Sequence, residues 1–308
     1  MTSLQELQER LSLEYEKIRD YYAATGFTFP FELFIAGFAL LALLISFVLL
    51  LLNLSLFEVA IAFVAIMSFA VSIPISIREN RIAEVEANLP DALKHMALVL
   101  KAGGTVENAL EEVATPDGYG SLGSDLKKAL FRLRRGQSFE VVLTKTADES
   151  GSLLLRRTAS IIVDARRAGA GLADVLFAIS DDAKDVLHIQ RERLSRTVMN
   201  AIFIAASSII IAPFIFGFAL SVINFIVVNM LKALQNAKPM DVCALNTTFV
   251  AFLVIQALIA AVALGIVRFG KGGKYLLYIP VLVLVSLLIF EGAKWASNSI
   301  VGGAGLIC

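Results

Sequence analysis

The residue types that hold metals or act as nucleophiles are sparse in this chain. Its 308 residues include two histidines, His95 and His188, and two cysteines, Cys243 and Cys308. Metal-binding histidines and cysteines usually occur at short, characteristic spacings, and these four residues are far apart. We therefore predict no metal site and no other cofactor, and we interpret both histidines as helix-surface or core residues.

One segment comes close to a nucleotide-binding motif. GIVRFGKG, from Gly265 to Gly272, has the spacing of glycine, four residues and Gly-Lys. A phosphate-binding loop needs Ser or Thr after the lysine to reach the magnesium ion, and a strand before the first glycine. Here Gly272 follows the lysine, and an apolar membrane-type segment precedes the motif. The segment indicates a glycine-rich turn, and we predict that the protein is not an enzyme.

Clustered arginines are the remaining side chains that could bind a partner. One interpretation is electrostatic contact with an acidic face of another protein. The other is a set of solvated helix ends, matched to the helix dipole or to anionic lipid headgroups. The sequence leaves both open. These residues are Arg132, Arg134, Arg135, Arg156, Arg157, Arg166 and Arg167.

The arginine clusters border a pattern that occurs three times. A basic residue precedes a glycine by two positions, and apolar residues follow the glycine by three, six and seven. The segments are KAGGTVENAL, RRGQSFEVVL and RAGAGLADVL, whose glycines Gly103, Gly136 and Gly169 lie 33 residues apart both times. Ankyrin repeats also have a 33-residue period, but their Thr-Pro-Leu-His signature is absent here.

Each copy of the pattern predicts a tight corner between two helices. The basic residue lies in the last turn, and the glycine takes the left-handed conformation that ends a helix. Thr105, Ser138 or Gly171 then caps the next helix. Apolar residues elsewhere in the region recur at three and four positions, without strand alternation. The predicted helices are about 80–102, 106–115, 121–135, 139–149, 152–168 and 172–198, forming three hairpins in one bundle; the segment 114–120 is a loop.

Outside this region the chain consists mainly of apolar runs. It is 57% hydrophobic, and residues 78–197 contain 18 of the 27 Lys and Arg and 18 of the 27 Asp and Glu. The formal net charge of zero argues against nucleic acid as a partner. Five runs are long enough to cross a bilayer: 33–52, 54–77, 199–228, 248–267 and 275–296. The predicted fold class is an all-α polytopic membrane protein with one bundle of about six helices.

The predicted spans contain few charged or helix-distorting residues. Glu58 lies near the outer end of the second span, and Glu291 and Lys294 interrupt the fifth. This scarcity argues against an ion-coupled transporter, because intramembrane charges usually mark a transport path. In the third span, Pro213 and Gly217 predict a kink. Its two serines, Ser207 and Ser208, are predicted to bond to their own or a neighbouring helix.

Lysines and arginines near the span ends predict the orientation. The terminal segment 1–32, the domain 78–198 and the turn 269–274 are expected in the cytoplasm, and the loop 229–247 and the tail 299–308 outside. Whether Cys243 pairs with Cys308, and whether the sequon at Asn246 is glycosylated, stays open. The cytoplasmic group is Arg10, Lys17, Arg19, Arg78, Arg81, Arg191, Arg193, Arg196, Arg268, Lys271 and Lys274; the external group is Lys232, Lys238 and Lys294.

The first 32 residues predict an amphipathic cytoplasmic helix. An apolar stripe (Leu4, Leu7, Leu11, Ile18 and Tyr22) runs along it among glutamates. Such a helix docks on a partner or on the central domain. Its acidity argues against binding to anionic lipid.

The central region resembles the F-domain of type II secretion systems. The resemblance rests on NLPDALKHMALVLKAGGTVENALEEVA (88–114), LRRGQSFEVVL (133–143) and LLRRTASIIVDARRAGAGLADVLFAISDD (154–182). It covers about 110 residues, followed by a long helix into a span. This family includes inner-membrane platform proteins of type IV pilus, tight-adherence and archaellum machines. Two spans before the domain and three after it look like the single-domain branch, whereas many members carry two domains.

The resemblance implies a scaffold in the plasma (inner) membrane. Such platforms sit over a hexameric cytoplasmic ATPase and are thought to convert its motion into insertion of pilin-like subunits. It also implies pairing with a second copy or with a sister platform protein. Two alternatives remain: a small transporter or channel with a regulatory domain, which needs polar gates in its spans, and a signalling protein, which needs a nucleotide, metal or phosphoryl site. The filament, the secreted substrate and the bacterial or archaeal host are left open.

Overall fold

The computed structural model describes residues 31–51, 54–169, 171–233, 242–269 and 278–301. No strand occurs in these ranges, which confirms the predicted all-α class. A π-helical segment, Ser207–Ile211, joins α7 to α8. The helices are α1 (Phe31–Leu51), α2 (Leu56–Lys101), α3 (Val106–Val113), α4 (Pro116–Arg134), α5 (Phe139–Ser150), α6 (Leu153–Arg167), α7 (Leu172–Ala206), α8 (Ala212–Ala233), α9 (Val242–Phe269) and α10 (Tyr278–Val301).

The described chain divides into two compact units. The membrane unit consists of the described residues before Ile77 and from Arg196 onward, and the central unit is Ile77–Ser195. Both boundaries fall inside a helix, the first in α2 and the second in α7. The predicted amphipathic segment 1–32 lies outside the described residues except for its last two positions.

In the described part of the chain, five helical stretches are long and apolar enough to cross a membrane, as predicted. They are Phe31–Leu51, Leu56–Lys101, Leu172–Asn229, Val242–Val267 and Tyr278–Ile300. The 46-residue α2 continues past its apolar part into the central unit, a continuity that was predicted only for α7. At Arg78 the sequence changes from apolar residues to Glu, Arg and Ala. These residues also favour helix, so the change in polarity does not end α2.

The third membrane stretch is distorted immediately before its proline. Pro213 has no N–H, and its ring clashes with the carbonyl four residues earlier in a regular α-helix. That residue, Ile209, lies within the π-helical segment, and the Ala212 N–H bonds to the Ser207 carbonyl five residues back. The predicted distortion therefore takes the form of a π-turn. The prediction for Ser208 was wrong, because its buried hydroxyl has no hydrogen-bond partner.

Each of the two units has its own apolar core. In the central unit, buried side chains from α2 to α7 form one apolar cluster, which includes Leu89, Leu110 and Leu176. In the membrane unit, α8, α9 and α10 pack around Leu220, Leu253 and Phe290. A Cβ at Gly217 would lie only 2.6 Å from the Phe290 carbonyl oxygen, so α8 approaches α10 closely because this residue has no side chain.

The three predicted glycine corners are present. Gly103, Gly136 and Gly169 have φ values of 89°, 84° and 77°, in the left-handed region. Thr105 and Ser138 accept hydrogen bonds from the N–H groups of Asn108 and Val141, which caps α3 and α5 as predicted. At the third corner the Gly171 carbonyl accepts from the Val175 N–H. The apolar residues that follow each glycine pack in or against the central core.

Two further turns differ from the sequence prediction. The predicted loop 114–120 contains the first turn of α4, which begins at Pro116, a favoured first position. A fourth corner occurs at Gly151, where φ is 73° and Ser152 caps α6. Gly151 does not share the 33-residue spacing of the other three glycines, and for this reason the sequence analysis did not predict a corner there.

Substitution at Gly136 tests the conformational origin of the corners. A Cβ there would contact nothing within 4 Å, so only the positive φ opposes a side chain. We expect Gly136→Val to lower the free energy of unfolding of the central unit by about 1–2 kcal/mol. Amide hydrogen exchange of core residues in the full-length protein measures this.

Gly136→Asn is the matched control, because asparagine tolerates the left-handed region better than valine. We expect Asn to be less destabilising than Val. Equal effects of the two substitutions would mean that φ does not determine the preference for glycine.

Candidate functional site

The structure places most of the predicted arginines in ion pairs within the central unit. Four of the seven reach a carboxylate of the same unit. The pairs are Arg132–Glu149 at 2.7 Å, Arg134–Glu111 at 2.7 Å, Arg156–Asp148 at 3.0 Å and Arg166–Glu140 at 3.3 Å. These contacts favour a structural role for these four side chains, since each charge already has a partner.

Arg132 is the most enclosed member of the paired group. Its side chain is 21% exposed, and its Nη2 donates to both carboxylate oxygens of Glu149 at 2.7 and 2.8 Å. Its Nη1 is buried without a hydrogen-bond partner. This arginine connects α4 to α5.

Glu140, near the second glycine corner, forms its ion pair with Arg166, near the third. It lies in the first turn of α5, and its pKa is below the usual value mainly because the carboxylate bonds to its own backbone N–H. Burial opposes this shift, and the positive charges of Arg166 and Arg167 and a hydrogen bond from Ser138 add to it. Arg166 also lies 5.0 Å from the centre of the Phe139 ring. The arginine therefore has a carboxylate and an aromatic partner on α5.

Three predicted arginines present their charge at the surface of the central unit. The guanidinium of Arg135 lies over the Phe131 ring at 4.0 Å. Arg157 and Arg167 are exposed, and neither forms a described ion pair within 4 Å. These three are the members of the set that remain available to an acidic partner.

Both histidines lie in helices of the central unit. Nδ1 of His95 is 3.0 Å from the Tyr119 hydroxyl, a contact between α2 and α4. Burial, followed by the charge of Asp91, raises the pKa of Tyr119. His188 is exposed on α7. No group of three potential metal ligands occurs in the part of the chain that the structure describes.

Among the described residues, the most enclosed charged side chain is that of Glu58 in the membrane unit, whose burial and partners the sequence analysis did not predict. Glu58 is 3% exposed, and its Oε1 accepts from the Nδ2 of Asn246 on α9 at 2.9 Å. Its Oε2 accepts from the Ser55 N–H at 2.9 Å, while the Glu58 N–H donates to the Ser55 hydroxyl at 3.4 Å. This reciprocal pair is a capping box at the start of α2.

Lys294 on α10 joins the same group. Its Nζ lies 3.5 Å from Oε1 of Glu58, donates to Oδ1 of Asn246 at 3.3 Å and contacts Glu291. It also lies 4.7 Å from the centre of the Phe290 ring. We call Glu58, Asn246, Glu291 and Lys294 the buried charge network. It links three membrane helices, α2, α9 and α10.

The network corrects three interpretations of the sequence. Lys294 was counted with the external loop charges, but its side chain is 14% exposed within a helix. Asn246 was considered for glycosylation, but it is buried in α9 with its amide nitrogen bonded to Glu58. The spans also contain more buried charge than the sequence analysis predicted. The sequence did indicate it, because Glu291 and Lys294 are three residues apart and therefore lie on one face of a helix.

An apolar cavity of about 310 Å³ adjoins the network in the membrane unit. Leu54 and residues of α1, α2 and α10 line it, among them Glu58 and Glu291, but the surface that they present to the cavity is entirely apolar. Cys243, one turn before Asn246 in α9, is disulfide-bonded. The chain's other cysteine, Cys308, lies outside the described residues.

The fold and these sites define a class: a polytopic, all-helical membrane protein with a glycine-cornered helical domain between its second and third spans. Residues 92–220 match the family "Type II secretion system (T2SS), protein F". Residues 92–220 are therefore similar to this family, as the motifs predicted. The match includes all three predicted corners and excludes every member of the buried charge network.

One relative adds to this assignment. An uncharacterized protein of Methanocaldococcus jannaschii is 31% identical over 168 residues. The alignment covers 54% of this chain and 55% of that protein, so the chain spans about half the length of its relative. No solved structure matches the chain.

Removal of the network's one cation tests its contribution to stability. Lys294→Met leaves two carboxylates without their ammonium partner. Because breaking a buried ion pair leaves an uncompensated charge, we expect a loss of about 3–5 kcal/mol. Unfolding of the purified protein in mixed micelles, followed by helical circular dichroism, measures it.

Two further variants control this experiment. Lys184→Met breaks an exposed pair with Asp91 and should cost at most about 1 kcal/mol. The uncharged combination Glu58→Gln, Glu291→Gln and Lys294→Met should recover at least half of the stability lost in the single variant. A triple variant as unstable as Lys294→Met would show that lost packing, and not charge, causes the defect.

The two neighbouring arginines on α4 give a second comparison. Arg132→Ala should destabilise the central unit by about 1–3 kcal/mol, because it removes the packing of a mostly enclosed side chain and its charged hydrogen bonds to Glu149. Arg134→Ala, which removes a pair exposed by more than half on both sides, should change stability by less than about 1 kcal/mol. Hydrogen exchange of the full-length variants distinguishes them, and equal losses would contradict the structural role of Arg132.

Proposed function

We propose that this chain is the membrane platform of a type IV pilus-like or type II secretion-like assembly machine. The platform couples a hexameric cytoplasmic ATPase to the insertion of pilin-like subunits into a filament, and it acts as a scaffold without catalysing a reaction. The observation that carries this proposal is the family match over residues 92–220. The five helices among the described residues that could cross a membrane also support it.

The proposal places the central unit in the cytoplasm. The positive-inside distribution of the sequence supports this orientation. The burial of Lys294 strengthens the argument. This residue belongs to a helix and not to an external loop, so only two of the three basic residues assigned to the external side remain there.

Two helices are suited to transmit mechanical load in such a machine. The 46 residues of α2 and the 35 residues of α7 each belong to both units. A continuous helix transmits displacement along its axis because every turn is hydrogen-bonded to the next. We propose that force from the ATPase reaches the membrane helices through α2 and α7.

The surface arginines supply a candidate contact for the ATPase. Arg135, Arg157 and Arg167 hold no acidic partner within ion-pair distance among the described residues, unlike the four paired arginines. Electrostatic contacts of this kind accelerate association and add specificity. We propose these three residues as part of the ATPase-binding surface. A second copy or a sister platform protein is the further partner that the family suggests.

Charge reversal tests the contact. We expect Arg135→Glu, Arg157→Glu and Arg167→Glu together to reduce co-purification of the cognate ATPase with the full-length protein by about tenfold or more. The matched control reverses Lys94, Lys127 and Lys145, which are exposed on α2, α4 and α5. Unchanged ATPase binding in the arginine variant, or an equal loss in the control, would contradict the assignment.

A transporter or channel is the second candidate function. The buried charge network favours it, because charges inside a membrane often mark a transport path. Its four side chains, however, bond to one another and link α2, α9 and α10, as structural networks do. Flux of ions or small solutes in liposomes containing the purified protein, abolished by Glu58→Gln, would favour transport over the platform.

A further inference from the structure

The apolar cavity of the membrane unit has a buried floor and an exposed rim. Ala62 and Ile66 of α2, each 4% exposed, form the floor. At the rim, Ile45 of α1 is 40% exposed and Leu288 of α10 is 66% exposed. All three helices belong to stretches that are long and apolar enough to cross a membrane, so the rim opens toward lipid.

The cavity exists because the first span packs only a narrow stripe of its surface against protein. Phe31, Ala42 and Ser46 are the buried residues of α1. Ile45 and Leu49, on either side of Ser46, line the cavity. The side chains of α1, α2 and α10 therefore leave a space of about 310 Å³ between them.

Neither water nor vacuum is a favourable content for this space. Buried water needs roughly two to four polar partners, and the surface that the lining residues present is entirely apolar. An empty cavity is unfavourable as well, because the atoms that line it lose their dispersion contacts. The physical chemistry of the wall therefore selects an apolar occupant.

The size of the cavity restricts that occupant further. One turn of a helix with its side chains is about 10 Å across and 5.4 Å long, which corresponds to roughly 400 Å³. A helix from another subunit therefore does not fit, whereas a single flexible chain does. Hydrocarbon chains surround the rim in a bilayer and are as apolar as aliphatic side chains, so packing alone decides which group fills the space.

We propose that this cavity binds one hydrocarbon chain of a bilayer lipid. The chain packs against Ala62 and Ile66 and completes the contact between α1 and α10. Leu54, in the connection between α1 and α2, also lines the cavity, so the lipid belongs to the leaflet on that side of the membrane. The inference does not rest on the proposed function, and its residues lie outside the family match.

Photochemical attachment of a lipid tests the proposal directly. The purified full-length protein is placed in phosphatidylcholine bilayers that contain a phosphatidylcholine with a diazirine at the middle of one chain. Light releases nitrogen from the diazirine, and the carbene inserts into a nearby C–H bond, which peptide mass spectrometry locates. Val64, 66% exposed on α2, reports contact with the surrounding lipid. We expect attachment at Ile66 as well as at Val64, although Ile66 is buried.

Two variants of α2 make the result specific to the cavity. Ala62→Phe places a phenyl ring in the space and should lower attachment at Ile66 by about tenfold, because close-packed side chains leave no room for a chain. Attachment at Val64 should not change. Ala60→Phe is the matched control, since it makes the same substitution at an exposed position of α2, and it should leave attachment at Ile66 unchanged.

Three outcomes would overturn the proposal. Attachment at Val64 without attachment at Ile66 in the unmodified protein would show that lipid does not enter, and this comparison needs no variant. Undiminished attachment at Ile66 in Ala62→Phe would show that the chain reaches Ile66 from outside the cavity. An equal loss in Ala60→Phe would show that the substitutions act on the lipid-facing surface of α2 and not on the cavity.

Discussion

The absence of water in the bilayer core is the constraint on which this structure depends. Backbone groups there must form hydrogen bonds within the chain, and a helix satisfies them without help from neighbours. Two membrane helices, α2 and α7, continue into the central unit, and α2 does so although Pro74 lies four residues before Arg78, where apolar sequence gives way to polar sequence. The central unit then needs corners to form a compact core, and glycines provide them.

Much of the fold was predictable, because each element depends on local chemistry. The spans follow from apolar length, and the corners at Gly103, Gly136 and Gly169 follow from the left-handed conformation that glycine adopts without penalty. The continuity of α2 was harder to predict, since polarity changes at Arg78 while helix propensity does not. Gly151 was missed because the repeat was defined by spacing and not by the turn itself.

The candidate site was less predictable, because ion pairing depends on contacts between residues distant in sequence. Glu58 and Asn246 are 188 residues apart, and no feature of the sequence around either residue predicts that they are in contact. The same reason explains why the roles of the arginines could not be predicted. The sequence shows that they are clustered, but only the structure shows that Arg132 has a carboxylate partner and that Arg157 has no described ion pair. Residues that look equivalent in a basic cluster therefore differ in role.

The π-turn at Ser207–Ile211 changes the angular phase of the third span. One additional residue in a turn advances the following side chains by about 100° around the helix axis. The faces of α7 and α8 therefore cannot be projected on a single helical wheel. Gly217 follows this offset and meets α10 closely, so the number of residues between Ala206 and Ala212 determines where this glycine lies around the helix axis.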